Sequence, residues 1–227
     1  GVKREEVLNK DFTELNFSWI GRICDFKINI LNYLILKLSE AAKKLKLKVN
    51  LHVIGDGPLI HKLNSNNYLH KFFNVILLGT LDMSKMNLYL NSKIDINASM
   101  GTSVLESAKF GIPSIVLDIS NKPINFKYNF RWLHDTKNYD LAHLIKKSDD
   151  MSKSFELTDI ISEFIVNSKI LSEKSFNYYA SNHSLEAVSE NLKKQIEKSK
   201  LTFTDINPEL LKKSLLRRLY EYKKYKL

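Results

Sequence analysis

Two cations follow a glycine near the start of the chain: Gly21-Arg22, with Lys27 five positions further on. An arginine offers a planar bidentate fork and a lysine a point charge, a natural pair for two phosphates. Taken alone, such residues are more often solvated surface charge. A second group sits in "GTSVLESAKFGIP" (101–113). Gly101 lets the chain turn tightly, and a helix starting near Thr102 would aim the amides of Gly101, Thr102 and Ser103 at an anion. Glu106 lies one turn further in, on the side reached by Thr102 and Ser103, where ribose hydroxyls would pair its carboxylate. The plainer alternative is that Ser103 caps the helix and Glu106 is exposed. "GDGP" (55–58) and "GTLD" (79–82) add two glycine turns. Gly55 and Gly57 permit a sharp turn and close approach of a ligand to backbone, although each turn alone is a weak signal. The six histidines are scattered and read as structural or surface residues, and no ligand cluster for a metal is seen.

These residues need elements to hold them. "FSWIG" (17–21), "VNLHVIG" (49–55), "NVILLG" (74–79), "IDINAS" (94–99) and "PSIVLD" (113–118) read as strands, with "FRWLHD" (130–135) as a sixth. Between them lie a long helix carrying Ile30, Leu31, Leu34, Leu38, Ala41 and Leu45, a short one after Pro58, and helices over "MSKMNLYLNS" and "TSVLESAKF". "YDLAHLIKK" (139–147) reads as another helix. The strand–helix alternation predicts an α/β fold, a Rossmann-like parallel sheet with helices on both faces. Strands rich in Ile, Val and Leu with little alternation suit burial on both sides. In such sheets ligands sit outside the carboxyl ends of the strands, where every group named above falls. From about 151 the pattern is wholly helical.

Composition narrows the class. A 227-residue chain with 44% hydrophobic residues can bury a core, and its single cysteine, Cys24, excludes an internal disulfide framework. The longest apolar stretch, "INILNYLILKL" (28–38), is too short to span a bilayer. The net charge is +10, but residues 193–227 hold eleven Lys and Arg against four Asp and Glu, so the body is nearly neutral. A basic surplus confined to one tail argues against a nucleic-acid groove and for contact with an anionic surface.

In combination these pieces resemble the carboxy-terminal domain of a GT-B fold glycosyltransferase, specifically of family 4. The resemblance rests on Gly21, Arg22 and Lys27; on "VIGDGPL" (53–59); on "VILLGTL" (75–81); on "LYLNSKIDINAS"; and on Gly101, Glu106 and "GIP" (111–113), in that order. It covers roughly 1–150, and "YYASNHSLEAVSENL" resembles the family's closing helices. The organisation it implies is a donor-binding Rossmann-like domain over 1–150, closing helices over 151–200 and a basic amphipathic tail helix over 201–227. The activity it implies is transfer of a sugar from a nucleoside-diphosphate sugar to a saccharide or lipid-linked acceptor, with retention of configuration. By carry-over, Arg22 and Lys27 would hold the diphosphate and stabilise the leaving group, joined by the amides of Gly101, Thr102 and Ser103. Glu106 would take the ribose hydroxyls, and Leu81 with the Gly55–Gly57 turn would border the base. No metal or other cofactor is expected.

The sequence departs from the family in two respects. Where the family places a sugar-contacting glutamate eight residues before the one matched by Glu106, this chain has Ala98. The resemblance also implies an acceptor-binding amino-terminal domain that would be missing here, since "GVKREEV" resembles the stretch that follows the interdomain linker, and the chain alone is then expected to bind donor and transfer nothing. In "PELLKKSLLRRLYEYKKYKL", Leu211, Leu215, Leu219 and Tyr222 share one helical stripe flanked by basic residues. That stripe suits either an anionic membrane, with 209–227 on the inner face of the cell membrane of a cytoplasmic enzyme, or packing on the missing domain. The alternatives are a nucleotide-sugar epimerase of the same fold and a non-catalytic nucleotide-binding domain, the latter suggested by Ala98.

Overall fold

The structure is a computed structural model that describes residues 12–137, 139–146 and 154–200, with 205, 214 and 217. The expected tail helix over 201–227 lies outside the described residues apart from those three. The chain divides into two compact units, Gly1–Ser184 and Leu185–Leu227.

The first unit is built on a six-stranded sheet. β1 (Glu14–Ile20) lies at its centre, with β2 (Lys48–Ile54) and then β3 (Phe73–Gly79) on one side. On the other side stand β4 (Ile96–Ser99), β5 (Ser114–Val116) and β6 (Arg131–Trp132). The ladders β1–β2, β2–β3, β1–β4 and β4–β5 are parallel, and only β6 is antiparallel. β1 pairs with β2 along its whole length, from Glu14↔Lys48 to Ile20↔Ile54. Because β3 leads to β4 across β1, the strand order reverses there, and the β1/β4 boundary is the topological switch point.

The helices follow from apolar spacing and from their ends. In α1 (Asp25–Leu45) Ile28, Leu31, Leu34, Leu38 and Ala41 recur every three or four residues and are buried. The helix closes on Lys46 in the left-handed region (φ 51°), whose amide and that of Leu47 turn back to the Lys43 and Ala42 carbonyls. In α2 (Met83–Lys93) the Asp82 side chain caps by accepting from the Lys85 amide at 2.9 Å. α3 (Thr102–Ala108) is seven residues long, and the chain beyond it turns at Gly111 (φ +70°). α4 (Leu157–Asn182) buries Ile160, Ile161, Phe164 and Leu171 and kinks at Asn167. In the second unit, α5 (Leu185–Lys198) buries none of its residues.

Along β1, β2, β4 and β5 the sheet is buried on both sides, as expected, but the two faces differ in chemistry. One face is apolar: Leu15, Phe17, Trp19, Val49, Leu51, Val53, Ile96 and Ala98 join α1 and α4 in the main core. The opposite face alternates with it and carries Asn16, Ser18, Asn50, His52, Asp95, Asn97 and Ser99; all but Asn16 are buried. Buried polar groups are costly unless paired, and each of these side chains has a partner, although Asn97 Nδ2 has none among the described residues. Ser18 and Ser99 hydroxyls each donate to Asn97 Oδ1 at 2.9 Å, and Asn50 donates to Asn16 Oδ1 at 3.0 Å. His52 lies 3.0 Å from Asn16 Oδ1 through Nε2 and 2.7 Å from the Tyr89 hydroxyl through Nδ1. Nε2 is therefore the protonated nitrogen, and burial pushes the imidazole pKa down.

Two expectations fail locally. The chain after Pro58 forms only short 3₁₀ turns, Ile60–Lys62 and Ser65–Tyr68. The helix expected over 139–147 does not form across its described part: Tyr139 lies in a turn with φ 59°, and Leu144 forms a lone parallel bridge with Ile119. There Ile119 donates to the His143 carbonyl at 2.7 Å and its own carbonyl accepts from Ile145 at 2.9 Å, so the edge of β5's continuation captures the segment.

Candidate diphosphate-binding cleft

The carboxyl ends of β1, β2 and β3 are stitched together by backbone. Gly21 N–H donates to Ile54 O and Ile23 N–H to Asp56 O, both at 3.0 Å, while Gly55 N–H donates to Gly79 O at 2.7 Å. The glycines of "GDGP" are explained by this contact. A Cβ on Gly55 would stand 1.9 Å from the Gly21 carbonyl oxygen, and one on Gly57 would stand 2.2 Å from that of Ile23. What approaches their backbone closely is the β1 turn, where sequence reasoning expected a ligand.

The three turns enclose a cleft of about 630 Å³. Gly21 and Arg22 form one wall, Gly55, Asp56 and Gly57 a second, and Thr80 and Leu81 a third, over a floor of Ile20, Ile54 and Met86. Arg22 is exposed and Lys27 half-buried; among the described residues neither pairs with a carboxylate. Lys27 Nζ lies over the Phe26 ring, 5.6 Å from its centroid, and 3.2 Å from where a Cβ on Gly21 would stand. Both cations therefore flank Gly21 at the mouth of the cleft. Gly21, Arg22, Gly55, Gly57 and Leu81 all line it as the sequence suggested, with Lys27 beside them. Ile20, Ile54 and Asp56 lie at or beside strand ends the sequence had pointed to, whereas Thr80, just after β3, and Met86, inside α2, were not singled out.

Gly101, Thr102, Ser103 and Glu106 do not line this cleft. They follow β4, across the switch point from Gly21. Gly101 turns with φ +61°, and its amide donates to Leu141 O at 2.9 Å, so it is not free for an anion as expected. The amides of Thr102 and Ser103 donate to no group among the described residues. Glu106 is half-buried and ion-paired with Lys109, one turn on. Ala98 is fully buried in the apolar core.

The end of β5, also a place to look for a ligand, is filled by the protein itself. Asp118, 1% exposed, takes a bidentate fork from Arg131, with Nη2 at 2.8 Å from Oδ1. It also accepts from the Tyr128 hydroxyl at 2.9 Å and the His143 amide at 3.0 Å. Burial works against the Arg131 charge, but hydrogen bonding and attraction from Asp118 outweigh it and raise the guanidinium pKa. Sequence reading missed this network because its members are 10 to 25 residues apart. Among the described residues no three His, Cys, Asp or Glu side chains come together as metal ligands, and no helix is long and apolar enough to cross a membrane.

No protein-family model and no curated protein matches the chain. Solved structures do. The chain is similar in fold to Staphylococcus aureus TarM, solved as a mutant with fondaparinux, α-GlcNAc-glycerol and UDP, at TM-score 0.53 and 18% identity, covering 84% of this chain and 37% of that one. A second TarM structure gives TM-score 0.50 at 17% identity, covering 84% and 36%. The chain thus spans a little over a third of the length of these relatives. The catalytic domain of cholesterol-α-glucosyltransferase from Helicobacter pylori follows at TM-score 0.44 and 18% identity, covering 78% and 98%. The fold is the mostly parallel α/β architecture found in GT-B glycosyltransferases.

Proposed function

We propose that this chain is the donor-binding half of a retaining glycosyltransferase of family 4 type, holding a nucleoside-diphosphate sugar at the carboxyl ends of β1–β4. The observation that carries the reading is the pair Arg22 and Lys27, two cations without carboxylate partners among the described residues, flanking Gly21 at the mouth of the cleft. The diphosphate would lie against them, with the Thr102 and Ser103 amides on the far side of the switch point. As the sugar leaves, negative charge grows on the diphosphate, and cations already in place stabilise it; one such donor contributes roughly 2.7–4 kcal/mol. This charge comes from side chains, so the reading calls for no metal. The base would lie against Leu81 and the Gly55–Gly57 turn.

The amino-terminal acceptor domain would supply the second wall of the catalytic cleft, so the chain alone would bind donor without transferring it. A saccharide or lipid-linked acceptor and a membrane contact through 209–227 belong to the same reading. The apolar burial of Ala98, where the family carries an acid, favours a second reading: a domain that binds nucleotide without catalysis.

Calorimetry of the chain against uridine, guanosine and adenosine diphosphates tests the proposal. One of them should bind, and Arg22→Ala or Lys27→Ala should each weaken it by roughly tenfold to a hundredfold, the worth of a charged hydrogen bond. Binding to none of the three overturns it.

A further inference from the structure

The β1–β4 ladder is short. It contains Phe17↔Ile96 and Ser18↔Asn97, and then the strands part, so the crevice at the switch point begins one step later. The amide of Ile20, the next group on that edge of β1, meets no β4 carbonyl; it donates to the Ser99 hydroxyl at 2.9 Å. The Ser99 carbonyl is meanwhile taken by the Leu117 amide at 2.9 Å, on the β5 side. The same device appears at the opposite end, where the Asn16 amide donates to Asp95 Oδ2 at 2.8 Å. A four-residue strand is thus extended at both ends by side-chain acceptors.

The two ends differ in what they hold. Ile20 is followed at once by Gly21 and Arg22, and Gly21 N–H is tied on the other edge to Ile54 O. Ser99 is itself fixed: it is fully buried, and its hydroxyl donates to Asn97 Oδ1, which also accepts from Ser18. With its proton committed to Asn97, the Ser99 oxygen is left as an oriented acceptor for Ile20 N–H.

We infer that Ser99 is a positioning residue for the anion site: it ends the β1–β4 ladder where the crevice must open, and fixes the backbone from which Arg22 projects. This rests on the donor-site reading above. Removing the hydroxyl leaves a buried amide unsatisfied beside Gly21, which frees the Gly21–Arg22 turn.

The test compares Ser99→Ala, Ser99→Thr and Asp95→Ala in the full chain. Ser99→Ala should weaken binding of UDP, or whichever diphosphate the wild type binds, by about tenfold while leaving the parent nucleoside unchanged. Ser99→Thr, which keeps the oxygen, should restore it, and Asp95→Ala should leave affinity unchanged. Amide hydrogen exchange gives a reading independent of any ligand: Ser99→Ala should speed exchange at Ile20 and Gly21, and Asp95→Ala at Asn16. If Ser99→Ala does not fold, Ser99→Cys, with its weak sulfur acceptor, replaces it. Wild-type protein that binds no diphosphate defeats the donor-site reading, while unchanged exchange at Ile20 and Gly21 defeats the role of Ser99. A loss of affinity in Asp95→Ala equal to that in Ser99→Ala also overturns it, because the effect would then be general loosening of the sheet.

Discussion

Replacing Gly55 by alanine tests whether the cleft depends on contact between the β1 and β2 turns. The added Cβ would stand 1.9 Å from the Gly21 carbonyl oxygen, whereas real contacts of this kind stay above 3.0 Å, so the turns must part by about 1.1 Å. The obstacle is backbone, which cannot swing aside as a side chain would. A shift of that size breaks the 3.0 Å bond from Gly21 N–H to Ile54 O, at about 1–3 kcal/mol. Overpacking adds about 1–3 kcal/mol. The expected total is about 3 kcal/mol, or roughly 6–12 °C in Tm for a chain of this length.

Gly79→Ala is the control for positive φ without the contact, Gly55 itself having φ +139° and so carrying backbone strain beyond the sum above. The φ of Gly79 is also positive, at +64°, but a Cβ there meets nothing within 4 Å. Only backbone strain remains, at about 1–2 kcal/mol. Thermal and urea unfolding followed by tryptophan fluorescence would rank the two variants, and diphosphate titration would show Gly55→Ala losing affinity because Arg22 moves with its turn. If Gly55→Ala unfolds within 2 °C of wild type, or is more stable than Gly79→Ala, the contact argument is wrong.

Arg131→Met should be the most costly single change at the end of β5, by about 3–5 kcal/mol in urea unfolding, because it leaves the 1% exposed Asp118 carboxylate without the arginine fork, held only by Tyr128 and His143; a loss under 1 kcal/mol would contradict this. Stability should also fall as pH drops below about 6.5. Burial holds the folded pKa values of His52, His134 and His183 down, so the unfolded chain binds protons there that the folded one refuses. His52→Gln should flatten part of that slope, and an unchanged slope would remove His52 from the account.

The sequence exposed one kind of information well. Strand positions were legible because runs such as "VNLHVIG" and "NVILLG" are short, β-branched or Leu-rich and end on glycine, and the ends of such strands are where Arg22, Gly55 and Leu81 were found. The polar face of the sheet was not. Ser18 and Asn97, Asn16 and Asp95, and Ile20 and Ser99 are each 79 residues apart, and a hydrophobic run conceals polar residues that alternate within it. The segment 139–147 misled for a related reason. Leu141, Leu144 and Ile145 have helical spacing, but Asp118 and Ile119 claim the amides and carbonyls a helix would use for itself.

The two sides of the switch point therefore differ in what they can offer a ligand. On the β4 side the Gly101 amide is spent on Leu141, Glu106 is matched by Lys109, and Ala98 contributes only apolar surface to the core, leaving the uncharged Thr102 and Ser103 amides. On the β1 side Arg22 and Lys27 have no carboxylate among the described residues to neutralise them. Their attraction for a diphosphate acts partly through solvent, so it is screened within about 10 Å at 0.1 M salt and weakens as salt rises. An uncharged sugar or base would feel no such effect. Strong salt dependence for diphosphate, beside weak dependence for the nucleoside, is thus the electrostatic signature this asymmetry requires.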